Sequence, residues 1–85
     1  MNTVLWNPRT RKQLLKIKDV AMRKRIYEEA QCLASFPACP GVKKLINHRC
    51  GYRLRVGEYR VLFDYDGIVK IVSIEEVRKR DEHTY

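Results

Sequence analysis

Hydrophobic positions along this chain change their period, and the changes mark out its elements. Val4, Leu5 and Trp6 form a short apolar run that predicts a strand. Asn7-Pro8 follows, a pair suited to capping a helix and occupying its first turn. Over residues 8–18, Leu14, Leu15 and Ile17 give a helix one apolar side, while Arg9, Arg11, Lys12, Lys16 and Lys18 make the remainder basic. Asp19 can cap a second helix over residues 20–35, where Met22, Ile26, Ala30, Leu33 and Ala34 recur at helical spacing. The two amphipathic helices predict a hairpin. Ser35 to Gly41 contains two prolines and cannot continue a helix, so a loop is expected to about Gly51, carrying Lys43, Lys44, His48 and Arg49.

From Tyr52 the period becomes two. Tyr52, Leu54 and Val56 alternate with Arg53 and Arg55, then Tyr59, Val61, Phe63 and Tyr65 alternate with Arg60, Leu62 and Asp64. Gly57-Glu58 reads as a tight turn, and Asp66-Gly67 as a second turn before a strand over Ile68 to Ile74. An antiparallel three-stranded meander follows, giving an α+β fold: a short N-terminal strand and a two-helix hairpin packed on an antiparallel sheet. A two-residue first turn sets Val56 opposite Tyr59, Arg55 opposite Arg60, Leu54 opposite Val61 and Tyr52 opposite Phe63. One face then collects the apolar residues and the other Arg53, Arg55 and Arg60. Continued through the second turn, the same register sets Arg60 near Ser73 and Leu62 near Ile71.

Eighty-five residues allow one domain, here 1–85, with one modest core. Charge changes the picture more than size does. The 18 Lys and Arg against 10 Asp and Glu leave a net charge of +8, so nucleic acid or an acidic protein is the expected partner. No apolar run approaches the roughly 20 residues of a spanning helix, which argues against a membrane partner. The N-terminus has no apolar export signal, which predicts a cytoplasmic location. Cys32, Cys39 and Cys50 are odd in number and lack a C-x-x-C pair, so reduced structural thiols are expected rather than a disulfide framework or a zinc site. No carboxylate cluster suits a hard metal ion, and neither metal nor cofactor is expected.

Arg55 facing Arg60 is a like-charge pair that needs compensation. A bound phosphate would supply it, because guanidinium donors match phosphate oxygens. An ordinary solvated face, screened by salt or neutralised by Glu75 or Glu76, would do so equally. The tail Arg78-Lys79-Arg80-Asp81-Glu82-His83-Thr84-Tyr85 can return over the same face, bringing cations, an imidazole and a ring able to stack on a base. A frayed terminus is the other reading.

Two N-terminal helices, then GYRLRVGEYRVLFDYDGIVKIVSI, then VRKRDEHTY, together resemble the RelE family of the RelE/ParE toxin–antitoxin superfamily. The most specific part is the block from Tyr52 to Val61, supported by a basic pair followed by a terminal Tyr. The resemblance implies a RelE-like domain with a basic C-terminal tail, inhibited by a cognate antitoxin. It implies ribosome-dependent, metal-independent cleavage of mRNA in the ribosomal A site, which inhibits translation. The residues it implies around the scissile phosphate are Arg53, Arg55, Arg60, Lys79 or Arg80, and Tyr85, with His83 as a further candidate. Lys43, Lys44, Arg49 and Arg78 would contact RNA, including ribosomal RNA. Two other readings stand beside it: a ParE-like gyrase inhibitor, which shares the fold, and an RNA-binding module without catalysis.

Overall fold

A computed structural model describes residues 1–79 of the chain. Its elements are β1 (Thr3–Trp6), α1 (Pro8–Leu15), α2 (Val20–Gln31), a 3₁₀ turn (Cys32–Ser35), β2 (Val42–Lys44), β3 (Tyr52–Val56), β4 (Tyr59–Asp66) and β5 (Ile71–Lys79). The five strands form one sheet in the order β1-β5-β4-β3-β2. The sheet is mixed, because β1 runs parallel to β5 with Thr3 beside Ile71 and Trp6 beside Ile74. An antiparallel three-stranded meander was expected; β3, β4 and β5 form it, and β1 and β2 extend it on either side. The N-terminal strand is as expected, but its pairing is not announced locally because its partner β5 is distant in sequence, and β2 falls in the expected loop, being three residues long and mostly charged.

Both helices start where the sequence predicts. Asn7 accepts a hydrogen bond from Thr10 N at 2.7 Å, and Asp19 accepts one from Met22 N at 3.1 Å. Each is shorter than expected. The first ends at Leu15, which is exposed, and the second yields to the 3₁₀ turn at Cys32. Arg23 reaches back to the Leu15 and Ile17 carbonyls, which α1 leaves without helical partners. Among the described residues no helix is long and apolar enough to cross a membrane.

The helices lie against one sheet face, α1 along β5 and α2 over β3 and β4. Between them and the sheet are Ile26, Ala30, Leu33, Leu54, Val56, Val61, Phe63, Val72 and Ile74, all buried. Phe36 completes this core, its ring meeting Tyr52, Phe63 and Tyr65 edge-on at centroid distances of 5.0, 5.5 and 4.8 Å.

The first hairpin takes the expected register, with Val56 opposite Tyr59 and Arg55 opposite Arg60. Gly57 supplies the positive φ of 57° at its turn. The second hairpin departs from expectation twice. Ile68 and Val69 belong to the turn, where the Asp66 carboxylate accepts from both their N–H groups at 2.9 and 3.3 Å, so β5 begins at Ile71. Further along, a bulge shifts the register: Phe63 faces Ile74, but Leu62 faces Glu76, leaving Glu75 as the extra residue. Arg60 therefore stands opposite Arg78 and not near Ser73. Helix α1 holds the bulge from the side. The Thr10 hydroxyl lies 2.9 Å from the Ile74 carbonyl, and Gln13 Oε1 accepts from Val77 N at 2.8 Å.

Candidate nucleic-acid interface

Strand alternation separates the outer sheet face from the helix-covered one. Because Ile74 and Val77 both enter the core, the bulge turns Glu76 and Arg78 outward. Lys43 pairs with Arg53, so the two share the outer face, and Arg55, Arg60 and Arg78 form the next row. The far end of this face is different in character, carrying Asp64 and Asp66 on β4 and Ser73 on β5. Five cations thus gather at one end of one sheet surface.

Register also divides the neighbouring pairs predicted from sequence. Lys43 joins the outer face, whereas Lys44 pairs with Tyr52 on the opposite side. Likewise Arg78 joins it, whereas Lys79 stands opposite Tyr59 on the helix side. Lys43 and Lys44 are strand residues and not loop residues, and Arg78 and Lys79 continue β5 where a tail was expected. Arg80, His83 and Tyr85 lie outside the described residues.

The segment 45–51 folds back over the outer face. Gly51 N donates to Asp64 Oδ1 at 2.7 Å, Leu45 N donates to the Gly51 carbonyl at 2.8 Å, and Cys50 N donates to His48 Nδ1 at 3.0 Å. Arg49 is carried with it and pairs with Glu76, Nη2 to Oε2, at 3.3 Å. The other Glu76 oxygen takes Arg78 Nε at 3.2 Å. Sequence reasoning considered Glu76 only as a neutralising charge. The signal for its placement was the three-residue step from Ile74 to Val77, which breaks strict alternation.

Cys50, within this segment, is 1% exposed. Burial pushes its thiol above the ordinary pKa, the Asp64 charge adds to the shift, and Arg49 opposes it. Cys39 is likewise raised by burial, with the neighbouring Cys32 thiol adding to the effect. All three cysteines are free. Among the described residues, no group of three or more His, Cys, Asp or Glu side chains is placed to hold a metal ion.

A two-helix layer on a mixed five-stranded sheet is the fold of the RelE/ParE superfamily of toxins. Residues 4–83 match the family described as the ParE toxin of type II toxin–antitoxin systems, and the chain belongs to that family. The fold is similar to the toxin–antitoxin complex RelBE2 from Mycobacterium tuberculosis, with a TM-score of 0.79 and 27% identity over 93% of this chain and 98% of that one. It is similar to the archaeal RelE–RelB complex from Pyrococcus horikoshii OT3, with a TM-score of 0.76 and 24% identity, covering 95% of this chain and 97% of that one. The isolated E. coli RelE toxin matches with a TM-score of 0.78 and 15% identity, covering 99% of this chain and 89% of that one. No curated protein sequence matches the chain.

Proposed function

We propose that this toxin cleaves mRNA in the ribosomal A site and acts in the cytoplasm. The observation that carries this reading is the row Arg55, Arg60 and Arg78, with Arg53 and Lys43 beside it on the face turned away from the helices. Like charges so close are stabilised by a polyanion laid across them.

In the reaction, the ribose 2′-hydroxyl attacks the adjacent phosphate and the 5′-oxygen leaves. The products are a cyclic phosphate and a free 5′-hydroxyl. Arg53, Arg55 and Arg60 stabilise the charge that grows on the phosphoryl oxygens, a preorganised electrostatic role able to contribute several kcal/mol. Arginine is too weak an acid to exchange protons near neutrality. The proton carriers are therefore sought beyond Lys79, which the register places on the helix side, and His83 and Tyr85 have suitable groups. Lys44 and Lys79, on the other side of the sheet, are reserved for contacts with ribosomal RNA. No metal enters this scheme.

An antitoxin partner is part of the proposal, since two of the similar structures are toxin–antitoxin complexes. A +8 chain favours a partner helix that brings carboxylates as well as apolar contacts.

The family description favours a second reading, inhibition of DNA gyrase. Cell-free translation separates the two. Purified toxin should stop translation and leave primer-extension stops within A-site codons, with gyrase supercoiling unaffected. Lost supercoiling with intact mRNA would reverse the assignment. Protection of RNA without cutting would leave only a binding module.

A further inference from the structure

We propose that Glu76 is a positioning residue, whose carboxylate joins Arg49 and Arg78 into one clamp for an RNA phosphate beside the scissile one. The inference rests on the RNA-cleavage reading and assigns a role to an acid where RNA binding alone would disfavour one.

Three observations support it. First, Glu76 is placed by the bulge: strict alternation would turn it toward the helices, and the extra residue Glu75 turns it outward between Leu62 and the Arg60–Arg78 row. Secondly, it divides its two oxygens, Oε1 to Arg78 Nε at 3.2 Å and Oε2 to Arg49 Nη2 at 3.3 Å. A loop cation and a strand cation, far apart in sequence, are thereby held by one acceptor.

Thirdly, exposure is asymmetric. The Glu76 side chain is 13% exposed, but those of Arg49 and Arg78 are 67% and 53% exposed. Arg49 also interacts with the Cys50 thiol, and both guanidiniums, being mostly exposed, have further N–H groups within reach of a ligand. Two cations on one carboxylate leave the group net positive, so a phosphate is still attracted. The carboxylate also fixes two long side chains whose rotamer freedom would otherwise be lost on binding.

A double-mutant cycle tests this on ribosomes programmed with an mRNA bearing 2′-O-methyl groups at the A-site codon, which cannot be cut. Arg78→Ala should weaken toxin binding about tenfold, as loss of a charge-assisted contact does. In the Glu76→Gln background the same change should matter less than about threefold, and Arg49→Ala should behave alike. Equal factors in both backgrounds would overturn the proposal. So would tighter binding by Glu76→Gln with both arginine effects intact, since the acid would then act only as an opposing charge. Should Glu76→Gln fail to fold, Glu76→Asp keeps the charge on a shorter arm and must give intermediate coupling, with none refuting the clamp. Failure of the wild-type toxin to bind these ribosomes would instead remove the cleavage reading, and the clamp with it.

Discussion

Arg60 and Arg78 stand directly opposite each other across the β4–β5 pair, and the Glu76 carboxylate pairs with Arg78 Nε at 3.2 Å. On the other side of Arg60 lies Arg55, which is exposed. Three cations in one row form a surface suited to an anion.

Arg55→Ala should therefore separate stability from activity. Removing a like-charge neighbour relieves repulsion on the order of 0.2–1 kcal/mol and exposes no core. The urea midpoint should stay level or rise slightly, while mRNA cleavage falls at least about tenfold, the equivalent of one lost transition-state contact. A marked loss of stability, or undiminished cleavage, would remove Arg55 from the site.

Salt should weaken ribosome binding steeply. Each phosphate engaged on a single strand contributes about −0.7 to the slope of log K against log salt concentration. Lys43, Arg53, Arg55, Arg60 and Arg78 together should give a slope on the order of −3. Titrations at several salt concentrations measure it, and a flat line is incompatible with a cationic docking face.

Gln13 closes the edge of β5 beside the bulge, and its loss should be felt on both sides of the sheet. Gln13→Leu keeps the bulk but deprives Val77 N of its acceptor, costing about 1–3 kcal/mol for a buried donor left unpaired. The urea midpoint should fall, and cleavage should fall further than stability alone explains, because Glu76 and Arg78 take their direction from the bulge. Unchanged stability would mean that Val77 N finds another acceptor.

The thiols predict a weakness at alkaline pH. Cys39 and Cys50 are raised in the folded state, so between the unfolded and folded pKa values the unfolded chain binds fewer protons and folding stability drops as pH rises. Their contribution is complete below the ordinary thiol range and lost through it and above. A Cys39→Ser, Cys50→Ala double variant should decline less steeply than the wild type in denaturant melts from pH 7 to 10. Parallel curves would show that other groups govern the decline.

What the sequence made legible was local. Alternation from Tyr52 to Phe63, with one tight turn, sufficed to pair Arg55 with Arg60, because a single-residue slip would bury arginines. Asn7 and Asp19 announced both helix starts through their side-chain oxygens. The second hairpin is harder to read, because Asp66-Gly67 suggests a two-residue turn, whereas the Asp66 side chain organises a longer one. Arg78 was assigned to a tail because the bulge conceals that β5 continues. Lys43 was separated from Lys44 only by the pairing of β2 with β3, a contact that three residues of strand cannot signal. The bridge from Arg49 to Glu76 depends on a loop folding across the sheet, and no local pattern encodes that.

The parallel pairing of β1 with β5 also sets a timetable for the newborn chain. Residues made first must wait for partners made near the end, and until Ile71 to Ile74 emerge, Val4 and Trp6 have no strand to join. The same late segment brings Glu76 and Arg78, so a half-synthesised chain has neither a closed sheet nor a complete row of arginines. Contacts between distant parts of a chain are slow to form because loop closure precedes their reward. Closing the sheet and completing the row of arginines are therefore one event, governed by when β5 becomes available to β1 and β4.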